Sequence, residues 1–284
     1  MEKLTMQVQG LQACVYTAGE NGSPVVLLHG GGTDSATLSW RLAIPALAAE
    51  HRVFAPDWPG YGGSQVFAGP YTSEAMAAWL DALLDALGLE KTSLVGISMG
   101  GGGALAYTLA HPQRVIRLVP VDSYALARKA PMHFLSYLVV RMPWLTDLTW
   151  AWVRRDRRMA AWSLGSIFAD KRNITPDLEE EVWQAIQDPT AQHSFASFQR
   201  YEVGLRGLRT CLMDRLGEIR CPTLVIHGEK DSLVPLAAAR EAARRIPNAR
   251  LEVVQGAGHW PMRECPQEFN RLLLEFLSDE TGSG

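Results

Sequence analysis

The sequence predicts an α/β protein with a doubly wound, mostly parallel sheet of about eight strands and a helical insertion. Three observations predict it. Short apolar runs alternate with longer stretches of helical periodicity, the order that strand–helix crossovers produce. Those runs are apolar at both parities, as strands buried on both faces are. Between residues 123 and 215 the alternation stops, and no run of buried-strand type occurs.

The elements follow in chain order. "LTMQVQG" (4–10) and "LQACVYTAGENG" (11–22) alternate and read as a strand hairpin. Six continuous apolar runs come next: "VVLLH" (25–29), "RVFAP" (52–56), "SLVGI" (93–97), "IRLVPV" (116–121), "TLVIHG" (223–228) and "RLEVV" (250–254). Between them, "TSEAMAAWLDALLDALG" sets Met76, Leu80, Leu83, Leu84 and Leu87 on one helical face and closes at Gly88. "MGGGGALAYTLAHP" stops at a proline, and "VPLAAAREAARRIP" begins near Pro235 and ends before Pro247. "CPQEFNRLLLEFL" repeats the apolar face with Phe269, Leu272, Leu273 and Phe276.

Residues 1–122 and 216–280 are therefore expected to form the α/β core, with 281–284 a flexible tail. Residues 123–215 are expected to form a helical cap, the alternative being ordinary long helical connections. This segment holds five of the nine tryptophans, Trp144, Trp150, Trp152, Trp162 and Trp183. They are expected either to shape an apolar pocket or to form the cap's own core. Its 13 Lys/Arg against 10 Asp/Glu leave +3, in a chain whose total is −3. The run "RRDRR" (154–158) reads as a solvated helix face.

Composition narrows the class. The chain has 284 residues, 47% hydrophobic and 20% charged, as soluble globular proteins do. A net charge of −3 carries no footprint of a nucleic-acid or membrane-surface partner. No 18-residue apolar run is present, and "MEKLTMQVQG" lacks a signal-peptide core, so no membrane span is expected. Cys14, Cys211, Cys221 and Cys265 lie without metal spacing and are expected to be reduced thiols of a cytoplasmic protein, with no metal and no cofactor.

The chemistry is carried by "LVGISMGGGG" (94–103), one serine among five glycines. Gly96-Ile97-Ser98-Met99-Gly100 matches G-x-S-x-G where a buried strand ends and a helix begins, the setting of a nucleophile elbow. A serine hydroxyl needs a base, and the base an orienting carboxylate. Asp231 follows the strand 223–228, and His259 follows the strand 250–254 in a glycine-rich loop. Asp122, after the strand 116–121, is the rival acid, and Asp231 is preferred. The other histidines fit less well, with His29 expected to pack under the loop that follows it. Acyl transfer also needs oxyanion donors. Met99 N–H is one candidate, and in "HGGG" (29–32) Gly31 is the other, with Gly30 and Gly32 next. Gly30, Gly32 and Trp260 are candidates for touching substrate.

With "HGGG", "DWPGYGGS" (57–64), "GISMGG" (96–101), "HGEKD" (227–231) and "GHWP" (258–261) assembled, the chain resembles the α/β-hydrolase superfamily over nearly its whole length. The resemblance implies Ser98 as nucleophile, Asp231 as acid, His259 as base, Gly31 and Met99 as oxyanion donors, and 123–215 as the cap. "DWPGYGGS" is then a structural turn. The C-terminal stretch and "HGGG" are similar to carbon–carbon bond hydrolases of aromatic ring-cleavage products. Those enzymes usually carry Asn before the nucleophile and Pro-Gly after the glycines, where this chain has Ile97 and Thr33-Asp34. The expectation is a serine hydrolase of small carboxylic esters with an apolar group, acting as monomer or homodimer. A carbon–carbon hydrolase of keto-acids, a cofactor-free perhydrolase or haloperoxidase, and a ligand receptor on a hydrolase fold are the alternatives.

Overall fold

A computed structural model describes residues 1–279, so the tail expected at 281–284 lies outside the described residues. Strands β1 (Glu2–Val8) and β2 (Leu11–Ala18) form the antiparallel hairpin, turning through Gln9 and Gly10, both with positive φ. The chain continues through β3 (Pro24–Leu28), α1 (Ala36–Trp40), α2 (Ile44–Leu47), β4 (Arg52–Pro56), α3 (Ser73–Ala86), β5 (Thr92–Ile97), α4 (Met99–Ala110) and β6 (Val115–Val121). Five helices follow without a strand: α5 (His133–Val139), α6 (Pro143–Val153), α7 (Arg157–Leu164), α8 (Pro176–Gln187) and α9 (Pro189–Glu202). The chain closes with β7 (Thr223–Gly228), α10 (Leu236–Arg245), β8 (Ala249–Val254), α11 (Pro261–Glu264) and α12 (Pro266–Ser278).

The eight strands form one sheet in the order β1-β2-β4-β3-β5-β6-β7-β8, antiparallel through β2 and parallel from β4 onward. The apolar runs read from sequence fall on these strands. β5 and β7 bury all six of their residues. β8 departs from the reading, since only Val254 is fully buried. It is the sheet's outer strand, paired with β7 alone, so one flank meets solvent. Two apolar clusters fill the two faces of the sheet, one around Trp40, Ile44 and Phe269 and the other around Trp58, Trp79 and Leu83. α3 and α12 turn the predicted faces inward, with Thr72 capping α3 through Ala75 N–H.

The parallel strands end on one side, and the loops that leave them there form the mouth of the fold. His29 anchors the first of these loops. Its Nδ1 donates to Gly30 O (2.8 Å), and its Nε2 accepts Trp58 N–H (3.0 Å). Burial lowers its pKa to about 3, so it stays a neutral structural group. Asp57 holds "DWPGYGGS" in place by accepting Ala36 N–H and Gly63 N–H. The run "RRDRR" does not lie on a single helix face: it spans the turn between α6 and α7, and Asp156 caps α7.

Candidate active site

Ser98 stands between β5 and α4 with φ 51° and ψ −113°, a conformation that an L-residue reaches only under strain of about 1–3 kcal/mol. The glycines around it make that turn possible by close approach. A Cβ on Gly96 would lie 2.3 Å from Gly100 O, and one on Gly100 would lie 2.3 Å from Leu28 O. Larger residues at either position would push α4 off β3 and β5. Ser98 N–H donates to Val121 O (2.9 Å), which fixes the elbow to the end of β6.

Asp231 and His259 converge from the loops after β7 and β8. His259 Nδ1 lies 2.8 Å from Asp231 Oδ2, which leaves Nε2 as the ring nitrogen free for other chemistry. Asp231 Oδ1 accepts the N–H groups of Leu233 and Val234. Burial acts to raise the Asp231 pKa, but the bond to His259 and these two donors outweigh it and hold the group below the ordinary carboxylate value. Ser98 and His259 line one cavity.

Asp122, the rival acid, faces a different histidine. His227 Nε2 sits 3.0 Å from Val234 O, so that nitrogen carries its proton. Burial keeps His227 neutral, and its Nδ1 points at Asp122 Oδ1 across 3.2 Å. Burial and the neighbouring Asp231 charge raise Asp122 well above the usual range. His227 Nδ1 and Asp122 Oδ2 are both buried without a hydrogen-bond partner among the described residues. The backbone at Asp122 is itself strained, with φ 41°. Asp122, His227 and Asp231 bring ligand-type atoms within 4.8 Å of one another. Asp231 has both oxygens engaged, which leaves fewer free donors than the three or four that a metal shell draws from protein.

The cavity has a volume of about 280 Å³. Its floor holds Gly30, Gly31, Gly32, Ile97, Ser98, His259 and Trp260, and its roof comes from the helical connection through Trp150, Leu164, Ile167, Val182, Ile186 and Phe195. Met99 N–H opens the first turn of α4, where donors have no intrahelical acceptor. Gly31 is pressed by the roof, because a Cβ there would lie 2.4 Å from the Phe195 ring. Gly30 is different: its N–H donates to Asp34 Oδ2 (2.7 Å), so it is not free to serve an oxyanion. Trp260 lines the cavity while its Nε1 donates to Ser39 Oγ (3.1 Å).

Several residues that shape the site were not singled out from sequence. Asp34 is buried beneath the glycine loop, bonded to Ser39 Oγ and to the N–H groups of Ser35 and Gly30. Burial raises its pKa to about 7 although these donors pull the other way. Glu264, also buried, accepts N–H from Gly258, Ala169 and Asp170 and so ties the His259 loop to the helical connection. Asp34 sits directly in "HGGGTD" and was open to notice, but Phe195 and Glu264 act through contacts that no local pattern encodes. Of the five tryptophans in 123–215, only Trp150 lines the cavity, while Trp144, Trp152 and Trp162 are exposed.

Known proteins resemble this chain over most of its length. The alpha/beta hydrolase fold family model matches residues 23–264. The chain is 34% identical over 280 residues to a 2-hydroxymuconate semialdehyde hydrolase of Pseudomonas sp. (strain CF600), covering 95% of this chain and 92% of that one. In structure it is similar to a meta-cleavage product hydrolase from Pseudomonas fluorescens IP01, with TM-score 0.80, 28% identity and 96% of each chain covered. It is similar too to a thermophilic esterase from Thermogutta terrifontis, with TM-score 0.79, 28% identity and 98% of each chain covered.

Proposed function

The chain belongs to the alpha/beta hydrolase fold family, and on that premise we propose that this hydrolase cleaves small carboxylic esters carrying an apolar group. In this reading His259 takes the proton of Ser98, and Ser98 Oγ attacks the acyl carbon. The N–H groups of Gly31 and Met99 hold the oxyanion. The proton passes from His259 to the leaving alcohol oxygen as the ester C–O bond breaks. Water, deprotonated by the same histidine, then releases the acid and restores Ser98. Asp231 fixes the tautomer, residues 123–215 serve as the cap, and Gly32 and Trp260 touch the substrate.

The observation that carries the ester reading is the cavity wall. Among the described residues no Arg or Lys lines it, and Asp34, whose pKa burial raises to about 7, offers an anion no positive charge. The nearby basic side chains are engaged elsewhere: Arg263 with Leu38 O and Glu181, and Arg154 with Gln192. An anionic substrate would be buried here without a partner, which costs several kcal/mol. The second reading is a carbon–carbon hydrolase of dienoic keto-acids. It is favoured by the likeness to the 2-hydroxymuconate semialdehyde and meta-cleavage product hydrolases.

The two readings separate in one measurement. Steady-state kcat/KM on p-nitrophenyl esters of short to medium acyl chains is compared with that on a ring-cleavage keto-acid. Esters are expected to be turned over repeatedly and preferred by about a hundredfold, given the unpaired carboxylate of the competitor. A hundredfold preference for the keto-acid overturns the ester reading. A single stoichiometric burst without turnover would point instead to a ligand receptor.

A further inference from the structure

We propose that the outer face of α5 and α6 docks on the surface of an anionic phospholipid bilayer. The proposal is independent of the bond cleaved at Ser98.

Exposed apolar side chains are concentrated here. Among the described residues, eight of the 14 large hydrophobic side chains exposed to solvent lie between Met132 and Trp162. α5 buries none of its seven residues and exposes Phe134, Leu135 and Leu138. α6 buries only Val153. Its Trp144 is 64% exposed, Leu148 62% and Trp152 57%. These three are spaced i, i+4, i+8, so they form one stripe along the helix. Trp150 lies on the other side of α6 and lines the cavity. The stripe is therefore neither the pocket wall nor part of either apolar cluster. Tryptophan and leucine displayed in this way are what a helix lying at a lipid headgroup boundary presents.

Charge selects the occupant. From 128 to 158 the chain carries seven Lys/Arg and two Asp/Glu, a net +5 within a total of −3. The basic residues flank both helices and the turn between them. Arg128 pairs with Asp214 and Arg157 with Glu180. Lys129, Arg141, Arg155 and Arg158 are exposed and have no acidic partner among the described residues. Apolar stripes bordered by unpaired cations complement an anionic headgroup layer. A second copy would bring +5 against +5 and meet repulsion. The helices lie along the surface and do not cross it: α6, with 11 residues, is about 16 Å long, against a hydrocarbon core of about 30 Å. No helix among the described residues is long and apolar enough to cross a membrane. α6 thus has the docking face on one side and the cavity on the other, which suits an apolar substrate drawn from lipid.

The test is co-sedimentation of the full chain with vesicles of phosphatidylcholine plus phosphatidylglycerol, and with vesicles of phosphatidylcholine alone. Partition onto the anionic vesicles is expected to exceed that onto the neutral ones by at least about tenfold and to fall as salt is raised. Trp144→Ala, Leu148→Ala and Trp152→Ala combined should lower it by at least about tenfold with an unchanged thermal midpoint. Should the triple variant unfold, Arg155→Glu with Arg158→Glu provides the same reading on solvent-facing charges. Protein left in the supernatant, or variants that sediment like the parent, overturn the proposal. Equal partition onto both vesicle types overturns the choice of an anionic surface. A dimer that the triple variant converts to monomer would show that a second copy covers this face.

Discussion

β5 buries all six of its residues and leads into Ser98, whereas α5, the first of the five consecutive helices, buries none of its seven. The sheet side is held by close backbone contact, such as Gly96 against Gly100, and by buried carboxylates that accept backbone N–H groups. The helical side is held by fewer buried side chains and leaves Trp144, Trp152 and Trp162 in solvent. Residues that must keep fixed geometry for bond cleavage sit where packing allows no slack. In the proposed reading, the side chains that choose among substrates come from the helical side. The expected division is that sheet-side substitutions govern rate and helix-side substitutions govern preference.

The largest test of that division is Ser98→Ala. It should remove about three orders of magnitude or more of ester turnover, and an active-site fluorophosphonate should no longer label the protein. A residual rate within tenfold of the parent would break the comparison at its base. Asp231→Asn comes next, with kcat falling by about 10³–10⁴ because the histidine loses its tautomer control. Asp122→Asn should be mild, since an amide still offers a proton to Nδ1 of His227. If Asp122→Asn proves the more damaging in kcat, the carboxylate that serves His259 has been misassigned.

On the helical side, Trp150→Ala should leave fluorophosphonate labelling of Ser98 intact. It should shift the ratio of kcat/KM between short and medium acyl chains by about tenfold, the scale of one altered apolar contact. A loss of turnover as deep as that of Ser98→Ala would erase the division between the two sides.

The same division explains what could be read in advance. The strands and the elbow were legible because their rules are local: continuous apolar runs, a glycine two before and two after Ser98, and an acid and a histidine each just past a strand. The half-exposed state of β8 was not legible, because an outer strand is defined by a neighbour it lacks. The Trp-rich helices were misjudged for a related reason. A tryptophan at 144 looks like core material in sequence, and only the packing of α6 shows that it faces outward. In sequence alone the N–H of Gly30 is a candidate oxyanion donor like those of its neighbours, and only the folded position of Asp34 occupies it.

Asp34 offers the smallest and most selective test of the sheet side. Its folded pKa is raised from 3.8 to about 7, chiefly by burial beneath the glycine loop. A carboxyl group with a raised pKa binds its proton more tightly when folded. The stability it contributes is therefore fully present below about pH 3.8 and is lost as pH rises through about 7. Asp34→Asn removes this titration while keeping the shape. The thermal midpoint of the parent, measured against that of the variant, should be most favourable near pH 4 and should decline toward pH 8. Asp57 and Asp122 are also raised by burial, but both are present in parent and variant and cancel in the difference. The decline should be absent from the corresponding difference for Trp150→Ala, since no titratable group is removed from the helical side. A difference for Asp34→Asn that stays flat from pH 4 to pH 8 would mean that the carboxylate keeps one charge state throughout. The three donors around it would then outweigh its burial.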